Sequence, residues 1–313
     1  MKKFLSVFMS LILIVTLSSC SEKKITRQSF AFDTVINITA DNKYQTEISE
    51  AFSLCSNYER IFSATNERSE LYKINNTAPS TPSDELKDVL EFSLFMSHLT
   101  DGAFDITISP LVELWDIKER KAPPTDREIK EAQGKVGYKK VTLEPFSLDG
   151  AKLDMGAVAK GYIADKITEY FRRRGINEAI IDLGGNIALI GEHKVGIRNP
   201  ENPDEVFAVM TLEDKSAVTS GAYQRYFEYE GKRYHHIIDP RTGFPSESGV
   251  ASVTVVSPSS MHADALSTSI YILGEKALSL CSNFPDTDAI IIKEDSSVIT
   301  TEGFAEKYHL EYK

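Results

Sequence analysis

The sequence predicts a mixed α+β fold rather than a purely parallel sheet. Of its 313 residues, 42% are hydrophobic and 26% are charged, which is the composition of an ordinary globular protein. Strand-like runs alternate with helical patterns along the chain, and several strands follow one another after short turns, as in hairpins. No internal repeat or composition break marks a domain boundary, so residues 29–313 are predicted to form one domain.

The charge balance limits the expected partners. Lys and Arg together number 35 and Asp and Glu number 46, so the formal net charge is −11. Non-specific nucleic-acid binding needs a basic surface, and no nucleic-acid partner is therefore expected. An anionic ligand is still compatible with this charge, because a metal ion or backbone dipoles can reverse the local sign.

Residues 1–19 have the pattern of a secretory signal peptide. Two lysines precede an apolar stretch, 4–17, that is too short for a comfortable membrane span. This stretch ends in Leu-Ser-Ser before Cys20, which resembles a bacterial lipobox, whose cysteine is lipidated. The alternative is an ordinary signal peptide followed by a chance cysteine. With lipidation, 20–28 would be a tether and the protein would be lipid-anchored at the extracytoplasmic face of a bacterial membrane, the periplasmic side in a Gram-negative cell.

Hydrophobic periodicity predicts the elements in chain order. Period-two alternation and short apolar runs predict strands at 29–40, 178–183, 187–190, 194–198, 206–212, 225–229, 250–256, 289–292 and 298–300, with a hairpin of two short strands in 136–148. Apolar residues at helical spacing predict helices at 48–62, 83–94, 156–174 and 259–273. The polar stretch 118–126 contains two adjacent prolines and is predicted to be a surface loop.

Two cysteines, Cys55 and Cys281, lie within the predicted domain. Cysteines of an exported protein can form a disulfide, and the sequence does not say whether these two meet. Each lies among apolar residues at helical spacing, which favours buried free thiols. The three cysteines of the chain are far apart, so no zinc site built on cysteine pairs is expected.

The first candidate for chemistry is the stretch Leu-Asp-Met-Gly-Ala-Val-Ala-Lys-Gly at 153–161. A predicted strand ends at Asp154 and a helix starts within a few residues, so unpaired N–H groups and the positive end of a helix dipole lie there. Lys160, one turn into the helix, is placed to pair with a phosphate. The alternative is that Asp154 caps a structural helix and that Lys160 is solvated.

The second candidate is Asp-Leu-Gly-Gly-Asn at 182–186. Two glycines directly after a buried strand predict a tight turn with exposed backbone N–H groups, or simply a hairpin turn. The segment lacks the spacing of the dinucleotide-binding fingerprint and no helix follows it, so a Rossmann site is not indicated.

The third candidate contains His235 and His236, followed by a stiff turn that presents Arg241. Adjacent residues of a strand point to opposite faces, so only one of the two histidines can enter a given site. Histidine can act as a general base near neutral pH, and arginine can hold phosphate oxygens. The alternative is a hairpin that carries these side chains without a chemical role. A zinc site built on the two histidines is ranked low, because no third ligand lies at a recognisable spacing.

The fourth candidate is a helix that carries Asp264, Ser267 and Thr268. Asp264 and Thr268 are four residues apart and share a helical face, with Ser267 beside them. Carboxylate and hydroxyl oxygens suit a hard cation such as Mg²⁺. The alternative is a helix whose Ser and Thr hydroxyls bond back to its own carbonyls.

In their order along the chain, these four motifs resemble the signature segments of the ApbE family of flavin transferases. Weaker matches lie at 101–105 and 217–221, and the resemblance covers roughly residues 30–305. It implies a single two-lobed α+β domain related to T-fold domains, with mixed, largely antiparallel sheets and flanking helices. It also implies Mg²⁺ as a cofactor and FAD as a substrate bound in the cleft between the lobes.

The resemblance implies roles for individual residues as well. Mg²⁺ would be held by the carbonyl of Ala157 and by Asp264, Ser267 and Thr268, and His236 is the candidate base. FAD would contact Phe32, Ala103, Phe104, Asp105, Asp154, Lys160 and Ile237. Phe32 belongs to a Phe-Asp-Thr segment where the family often has Met-Gly-Thr, so its ring is expected to stack on or cover the flavin.

The reaction implied by the resemblance is Mg²⁺-dependent transfer of FMN from FAD to a threonine hydroxyl of a target protein, with release of AMP. The target would be a subunit of a membrane redox complex, which the family modifies at outward-facing segments. Two alternatives stay open. One is a Mg²⁺-dependent FAD pyrophosphatase, in which water attacks and FMN and AMP are released, and the other is an FAD-binding lipoprotein that performs no chemistry.

Overall fold

A computed structural model describes residues 24–77 and 80–313. The predicted signal peptide and Cys20 lie outside the described residues. The strands are β1 (Lys24–Ala31), β2 (Thr34–Asp41), β3 (Thr142–Leu143), β4 (Phe146–Ser147), β5 (Ala179–Leu183), β6 (Asn186–Ile190), β7 (Glu192–Arg198), β8 (Val206–Glu213), β9 (Ser216–Gly221), β10 (Tyr226–Tyr229), β11 (Lys232–His235), β12 (Val250–Ser257), β13 (Asp288–Lys293), β14 (Val298–Thr300) and β15 (Glu311–Tyr312).

The helices lie mostly in the first half of the chain, with two long ones at its centre and near its end. They are α1 (Gln45–Phe62), α2 (Glu70–Asn76), α3 (Asp84–Leu99), α4 (Ser109–Trp115), α5 (Asp126–Gln133), α6 (Ala159–Arg173), α7 (Ser260–Leu273) and α8 (Phe304–Lys307). Short 3₁₀ helices cover Asn42–Tyr44, Tyr138–Lys140 and Glu275–Asn283. Within the described ranges, no helix is long and apolar enough to cross a membrane.

An eight-stranded antiparallel sheet forms the centre of the molecule, in the order β1-β2-β5-β6-β9-β12-β13-β14. Helices α1, α6 and α7 cover one face and enclose the main core, while a three-stranded sheet, β15-β8-β7, covers the other. Because both faces of β12 are covered, nearly all its residues are buried. Its sequence is therefore an almost continuous apolar run. The predicted α+β class, with antiparallel sheets and flanking helices, is confirmed.

A smaller core cluster forms where α4 and α5 meet the β10–β11 hairpin. Trp115 is fully buried there and stacks on Tyr234, with ring centroids 5.7 Å apart. Its indole N–H donates to the carbonyl of Gly243 at 2.8 Å. This cluster therefore anchors both ends of the segment 234–243, which carries the third candidate motif.

Helices α6 and α7 cross at very short range. A Cβ atom on Gly161 of α6 would lie 2.4 Å from the carbonyl oxygen of Ser260 and 2.6 Å from the Cα of Met261. One turn further along α6, the Asp165 carboxylate accepts hydrogen bonds from the N–H groups of Ser260 and Met261, at 2.6 and 3.0 Å, and from the Ser259 hydroxyl at 2.7 Å. The first and fourth candidate motifs are thereby held against each other.

The N-terminal prediction differs from the structure in two respects. Strand β1 begins at Lys24, so the predicted tether, 20–28, extends too far. The predicted single strand, 29–40, is a hairpin, because Phe32 and Asp33 turn the chain with φ of 53° and 58°. Strand β1 is an edge strand whose residues are mostly exposed, and its polar sequence therefore resembles a linker.

A second difference concerns the segment before α6. The predicted strand that ends at Asp154 is only an isolated bridge between Lys152 and Ile108. The helix predicted from Gly156 begins at Ala159, after a turn. The chain between Lys152 and Ala159 is therefore irregular over more residues than expected, and its backbone N–H groups lie outside any helix or strand.

The two cysteines of the domain are buried and free, as predicted. Cys55 lies on α1 and Cys281 lies in the 3₁₀ helix after α7. Burial raises the pKa of each thiol to about 12, so both remain protonated and unreactive at neutral pH.

The substitution Gly161→Ala tests the close crossing. The added methyl group would overlap the backbone of α7, so we expect the free energy of unfolding to fall by about 3 kcal/mol in urea denaturation. Gly134→Ala is the matched control, since Gly134 has a helical φ of −60° and a Cβ there would meet nothing closer than 3.5 Å. Equal urea midpoints for Gly161→Ala and the wild type would show that the helices are not in tight contact.

Candidate active site

A buried polar cluster joins α7 to the end of β9. Asp264 is 4% exposed and Ser267 is fully buried. The Ser220 hydroxyl on β9 lies 2.9 Å from that of Ser267 and 3.4 Å from that of Thr268. Ser267 also donates to the carbonyl of Asp264 at 2.9 Å, which is the back-bond that the structural alternative predicts. Three hydroxyl groups and one carboxylate are thus gathered in one place.

Asp264 connects this cluster to the start of α6. Its Oδ2 accepts a hydrogen bond from the N–H of Gly161 at 3.0 Å. In a regular helix this N–H would donate to the carbonyl four residues earlier, which belongs to Ala157. Because Asp264 takes the N–H instead, the Ala157 carbonyl accepts no hydrogen bond from residues 24–77 and 80–313. The structure therefore leaves a main-chain oxygen with free lone pairs beside the carboxylate-bearing helix.

These groups fit a magnesium ion. Magnesium takes oxygen ligands, and its protein sites use one or two carboxylates and leave other positions to water or substrate phosphate. Asp264 supplies one carboxylate, and the unpaired Ala157 carbonyl and the hydroxyls of Ser267 and Thr268 are further oxygen donors. Among the described residues, no group of three or more His, Cys, Asp or Glu is placed to hold a metal. A cation here would therefore rely on a mixed oxygen set.

His236 follows directly after β11 and is half-buried. Its Nδ1 lies 3.2 Å from the carbonyl oxygen of Arg225, so Nδ1 carries the proton and Nε2 is the free acceptor. Burial lowers the pKa of His236 to about 3, and the charges of Arg225 and Lys160 act in the same direction. The imidazole is neutral at pH 7, and an anion bound nearby would raise its pKa toward the range of an effective general base.

The two histidines of the third motif face different surroundings, as predicted. His235 is buried, with Nε2 3.0 Å from the carbonyl of Ser246 and its ring edge-on to Tyr271. Ile237 is 6% exposed, and its N–H donates to Nδ1 of His235. His235 and Ile237 are therefore buried residues that hold the segment in place, whereas His236 is half-buried and lies within range of the charges of Arg225 and Lys160.

The neighbouring Arg241 is tied to a carboxylate. It donates from Nε and Nη2 to the two oxygens of Asp239, at 2.9 and 2.7 Å. The guanidinium group of Arg241, which was predicted to hold phosphate oxygens, is therefore already paired with Asp239. The positive charges that act on His236 are those of Arg225 and Lys160.

Asp154 and Lys160 flank the turn before α6. Asp154 accepts a hydrogen bond from the N–H of Gly156 at 2.7 Å, and burial raises its pKa although Lys160 opposes the shift. Lys160 is half-buried, and its Nζ donates to the carbonyl of Gly156 at 3.1 Å. The main-chain N–H of Asp154 donates to Ile106, which joins this turn to the loop that contains 103–105. Asp154 therefore closes the turn before α6 and does not cap the helix, because the N-cap residue of α6 is Val158 and no side chain caps it. The helix-capping alternative for Asp154 is wrong.

The loop after α3 is largely internal. Ala103 and Phe104 are 0% and 2% exposed. Both oxygens of Asp105 are engaged, one by the N–H and hydroxyl of Thr107 and the other by the N–H of Tyr138, and burial raises the pKa of this carboxyl. The N–H groups of Ala103 and Phe104 already donate to Thr100, so a ligand contact here would use the accessible edge of the loop.

The turn that carries Phe32 packs on the second candidate motif. Phe32 is half-buried, and its N–H donates to the carboxylate of Glu59 at 3.0 Å. A Cβ atom on Gly184 would lie 2.3 Å from the hydroxyl oxygen of Thr34, so only glycine allows the two turns to meet. The structure places Phe32 at the edge of the main core, beside the Gly-Gly turn.

Direct contacts and short-range charge interactions link the candidate motifs into one region. Asp264 bonds to the start of α6, the charge of Lys160 acts on His236, and the Asp154 turn is bonded to the loop at 103–105. Sequence reasoning gave no role to Ser220 or Arg225. Ser220 lies within the weaker match at 217–221, which was the signal that could have found it, whereas nothing local marks Arg225.

The low pKa of His236 predicts a specific pH dependence of stability. Below pH 6.5 the unfolded chain binds a proton at this histidine, whereas the folded protein does not until about pH 3, so acid favours unfolding. Between pH 7 and pH 5 we expect wild-type protein to lose up to about 2 kcal/mol more free energy of unfolding than His236→Gln. Urea denaturation at both pH values measures this, and equal losses in the two proteins would contradict the assigned pKa.

The model of the ApbE family matches residues 32–291. Three relatives named FAD:protein FMN transferase are similar to this chain. That of Treponema pallidum is 37% identical, over 83% of this chain and 80% of its own. That of Klebsiella pneumoniae is 34% identical, over 80% and 83%, and that of Haemophilus influenzae is 31% identical over the whole of both chains.

Solved structures show the same fold. The crystal structure of the ApbE protein from Thermotoga maritima has a TM-score of 0.81 and 29% identity, and it matches 91% of this chain and 99% of its own. The flavin transferase ApbE from Vibrio cholerae has the same TM-score and coverage at 27% identity. Since the family model spans most of the chain and the relatives exceed 30% identity over most of its length, this protein belongs to the ApbE family.

Proposed function

We propose that this protein transfers FMN from FAD to a threonine hydroxyl of a target protein, in a reaction that depends on Mg²⁺ and releases AMP. The observation that carries the proposal is the hydrogen bond from Gly161 to Asp264, which leaves the Ala157 carbonyl unpaired beside a carboxylate. The activity named for the relatives supports the same conclusion.

The bonds that change define the roles of the residues. The threonine oxygen attacks the FMN-side phosphorus of FAD, the bond from that phosphorus to the bridging oxygen breaks, and AMP leaves with that oxygen. Nε2 of His236 accepts the threonine proton, since it is the free nitrogen of a neutral ring. Lys160 exchanges its contact with the Gly156 carbonyl for an oxygen of the diphosphate, where it offsets negative charge.

Magnesium, when bound, supplies positive charge that offsets the developing charge on the diphosphate. The residues that would hold it are Asp264, Ser267, Thr268 and, through its carbonyl, Ala157. Ser220 positions two of these, because its hydroxyl lies within hydrogen-bond distance of both α7 hydroxyls.

FAD is proposed to bind over the surface that connects these motifs. The residues assigned to its contacts are Phe32, Ala103, Phe104, Asp105, Asp154, Lys160 and Ile237. The engaged side chain of Asp105 and the buried side chains of Ala103 and Phe104 give this loop a shape-forming role. Phe32, Asp154 and Lys160 are the three half-buried residues of this set, so their side chains have the freedom to adjust to the flavin and the diphosphate.

An assay with and without an acceptor tests the reaction. The full-length protein is incubated with FAD and MgCl₂, alone or with a threonine-bearing redox subunit, and AMP and in-gel flavin fluorescence are followed. We expect AMP and a fluorescent acceptor band only when the acceptor is present, because the threonine hydroxyl is the attacking group. Equal AMP release without acceptor would identify a pyrophosphatase, and bound FAD without AMP would identify a carrier.

The variant Asp264→Asn belongs in the same assay. Asparagine keeps an oxygen for the Gly161 N–H but loses the charge that a cation needs, so AMP formation should fall about 100-fold or more with an unchanged melting temperature. Glu169→Gln, which removes a carboxylate from an exposed ion pair on α6, is the control and should keep full activity. Unchanged AMP formation in Asp264→Asn would contradict the metal assignment.

We also propose that Cys20 is lipidated and holds the protein at the extracytoplasmic face of a bacterial membrane, close to a target subunit of a membrane redox complex. In cells, wild-type protein should partition into the detergent phase of Triton X-114 and incorporate labelled palmitate. Cys20→Ser should do neither, because serine offers no thiol for the lipid. A wild-type protein that stays in the aqueous phase would contradict the lipid anchor.

A further inference from the structure

The side chain of Asn186 is a buried polar group that the proposed reaction leaves unused. Asn186 is the last residue of the second candidate motif and the first residue of β6. It is 3% exposed, and its Nδ2 has no hydrogen-bond partner in the described part of the chain. A buried amide N–H without an acceptor opposes folding, so this group needs an explanation.

The sheet pairing shows which way Asn186 points. It pairs with Val218 on β9, and Val218 is 1% exposed within the main core. On its own strand, Ala188 and Ile190 share its face, and both belong to the same core, against which α6 packs. Asn186 therefore points toward the layer of α6 and α7.

The same pairing brings Asn186 near the polar cluster of α7. Ser220 is two residues beyond Val218 on β9 and points to the same face. Diagonal neighbours of this kind in an antiparallel pair are roughly 7 Å apart. Since Ser220 bonds to Ser267, the amide of Asn186 lies on the sheet side of the proposed magnesium and diphosphate site.

We propose that Asn186 is a further binding residue of this site and donates a hydrogen bond from Nδ2 to an oxygen of the FAD diphosphate. The inference rests on the proposed function, which brings the diphosphate to α7. The hydroxyl groups of Ser220, Ser267 and Thr268 bond to one another, and none of them accepts from the Asn186 amide, which has no partner in the described part of the chain. Phosphate oxygens are acceptors that carry no proton, and binding them would satisfy the amide that is unpaired in the free protein.

Asn186→Leu separates this role from a structural one. Leucine has a similar volume and no polar atoms, so the melting temperature of the ligand-free protein should stay the same or rise. The Kd for FAD, measured by titration calorimetry with MgCl₂, should weaken about tenfold or more, since a hydrogen bond to a charged group is lost. The KM for FAD should rise by a similar factor with little change in kcat, because ground state and transition state lose the same contact.

Ser93→Ala is the matched control. Its hydroxyl on α3 is also buried without a partner, so its removal should leave the ligand-free protein as stable and the Kd for FAD unchanged. Asn186→Ala should weaken FAD binding as much as Asn186→Leu does. Because alanine adds no bulk at this position, a weaker affinity in both variants would not be due to a steric clash of leucine. Unchanged FAD affinity in either Asn186 variant, or failure of both to fold, would overturn the inference. Because the Kd does not depend on turnover, a wild-type protein that binds FAD but forms no AMP would contradict only the proposed function.

Discussion

The candidate site depends on one close contact, the crossing of α6 and α7 at Gly161. The missing side chain allows the backbones to approach, and the Gly161 N–H then reaches the carboxylate of Asp264. The same hydrogen bond leaves the carbonyl of Ala157 without its usual helical donor. A single interaction therefore sets the spacing of two helices, orients a carboxylate and frees a main-chain oxygen, while Asp165 secures the start of α7 one turn away.

The charges that act on His236 are local and opposite in sign to the net charge of the chain. The protein carries a formal charge of −11, yet His236 stays neutral chiefly because burial lowers its pKa, and the charges of Arg225 and Lys160 act in the same direction. A neutral imidazole under the influence of two cations gains basicity when an anion enters, because the anion offsets the charges that oppose protonation. An anionic ligand that binds here would therefore raise the pKa of His236 as it binds, whatever the net charge of the surface.

Local sequence patterns predicted elements well where burial is clear. Strand β5, whose residues are alternately buried, begins one residue after its predicted start and ends at its predicted end, and β12, covered on both faces, was evident as an apolar run. Hydrophobic periodicity did not predict the first half of β1. This edge strand is mostly exposed, so its residues need not alternate between apolar and polar. Contacts such as that of Ser220 with Ser267 join residues 47 positions apart through the packing of α7 on β9, and periodicity does not specify which elements become neighbours. For that reason the order of the motifs in the sequence was enough to indicate the family, whereas contacts between distant residues, such as Ser220 and Ser267, could be identified only from the structure.

The carboxylates around α6 differ in how many lone pairs the protein itself uses. Asp105 and Asp165 have both oxygens bonded to N–H and hydroxyl groups, so they hold a loop and a helix start in place. Asp154 and Asp264 each accept one backbone N–H and keep a second oxygen without a hydrogen bond in the described ranges. A carboxylate can bind a ligand or cation only with an oxygen that the fold has left free. The hydrogen-bond pattern therefore divides four similar groups into two that build the site and two that can act in it.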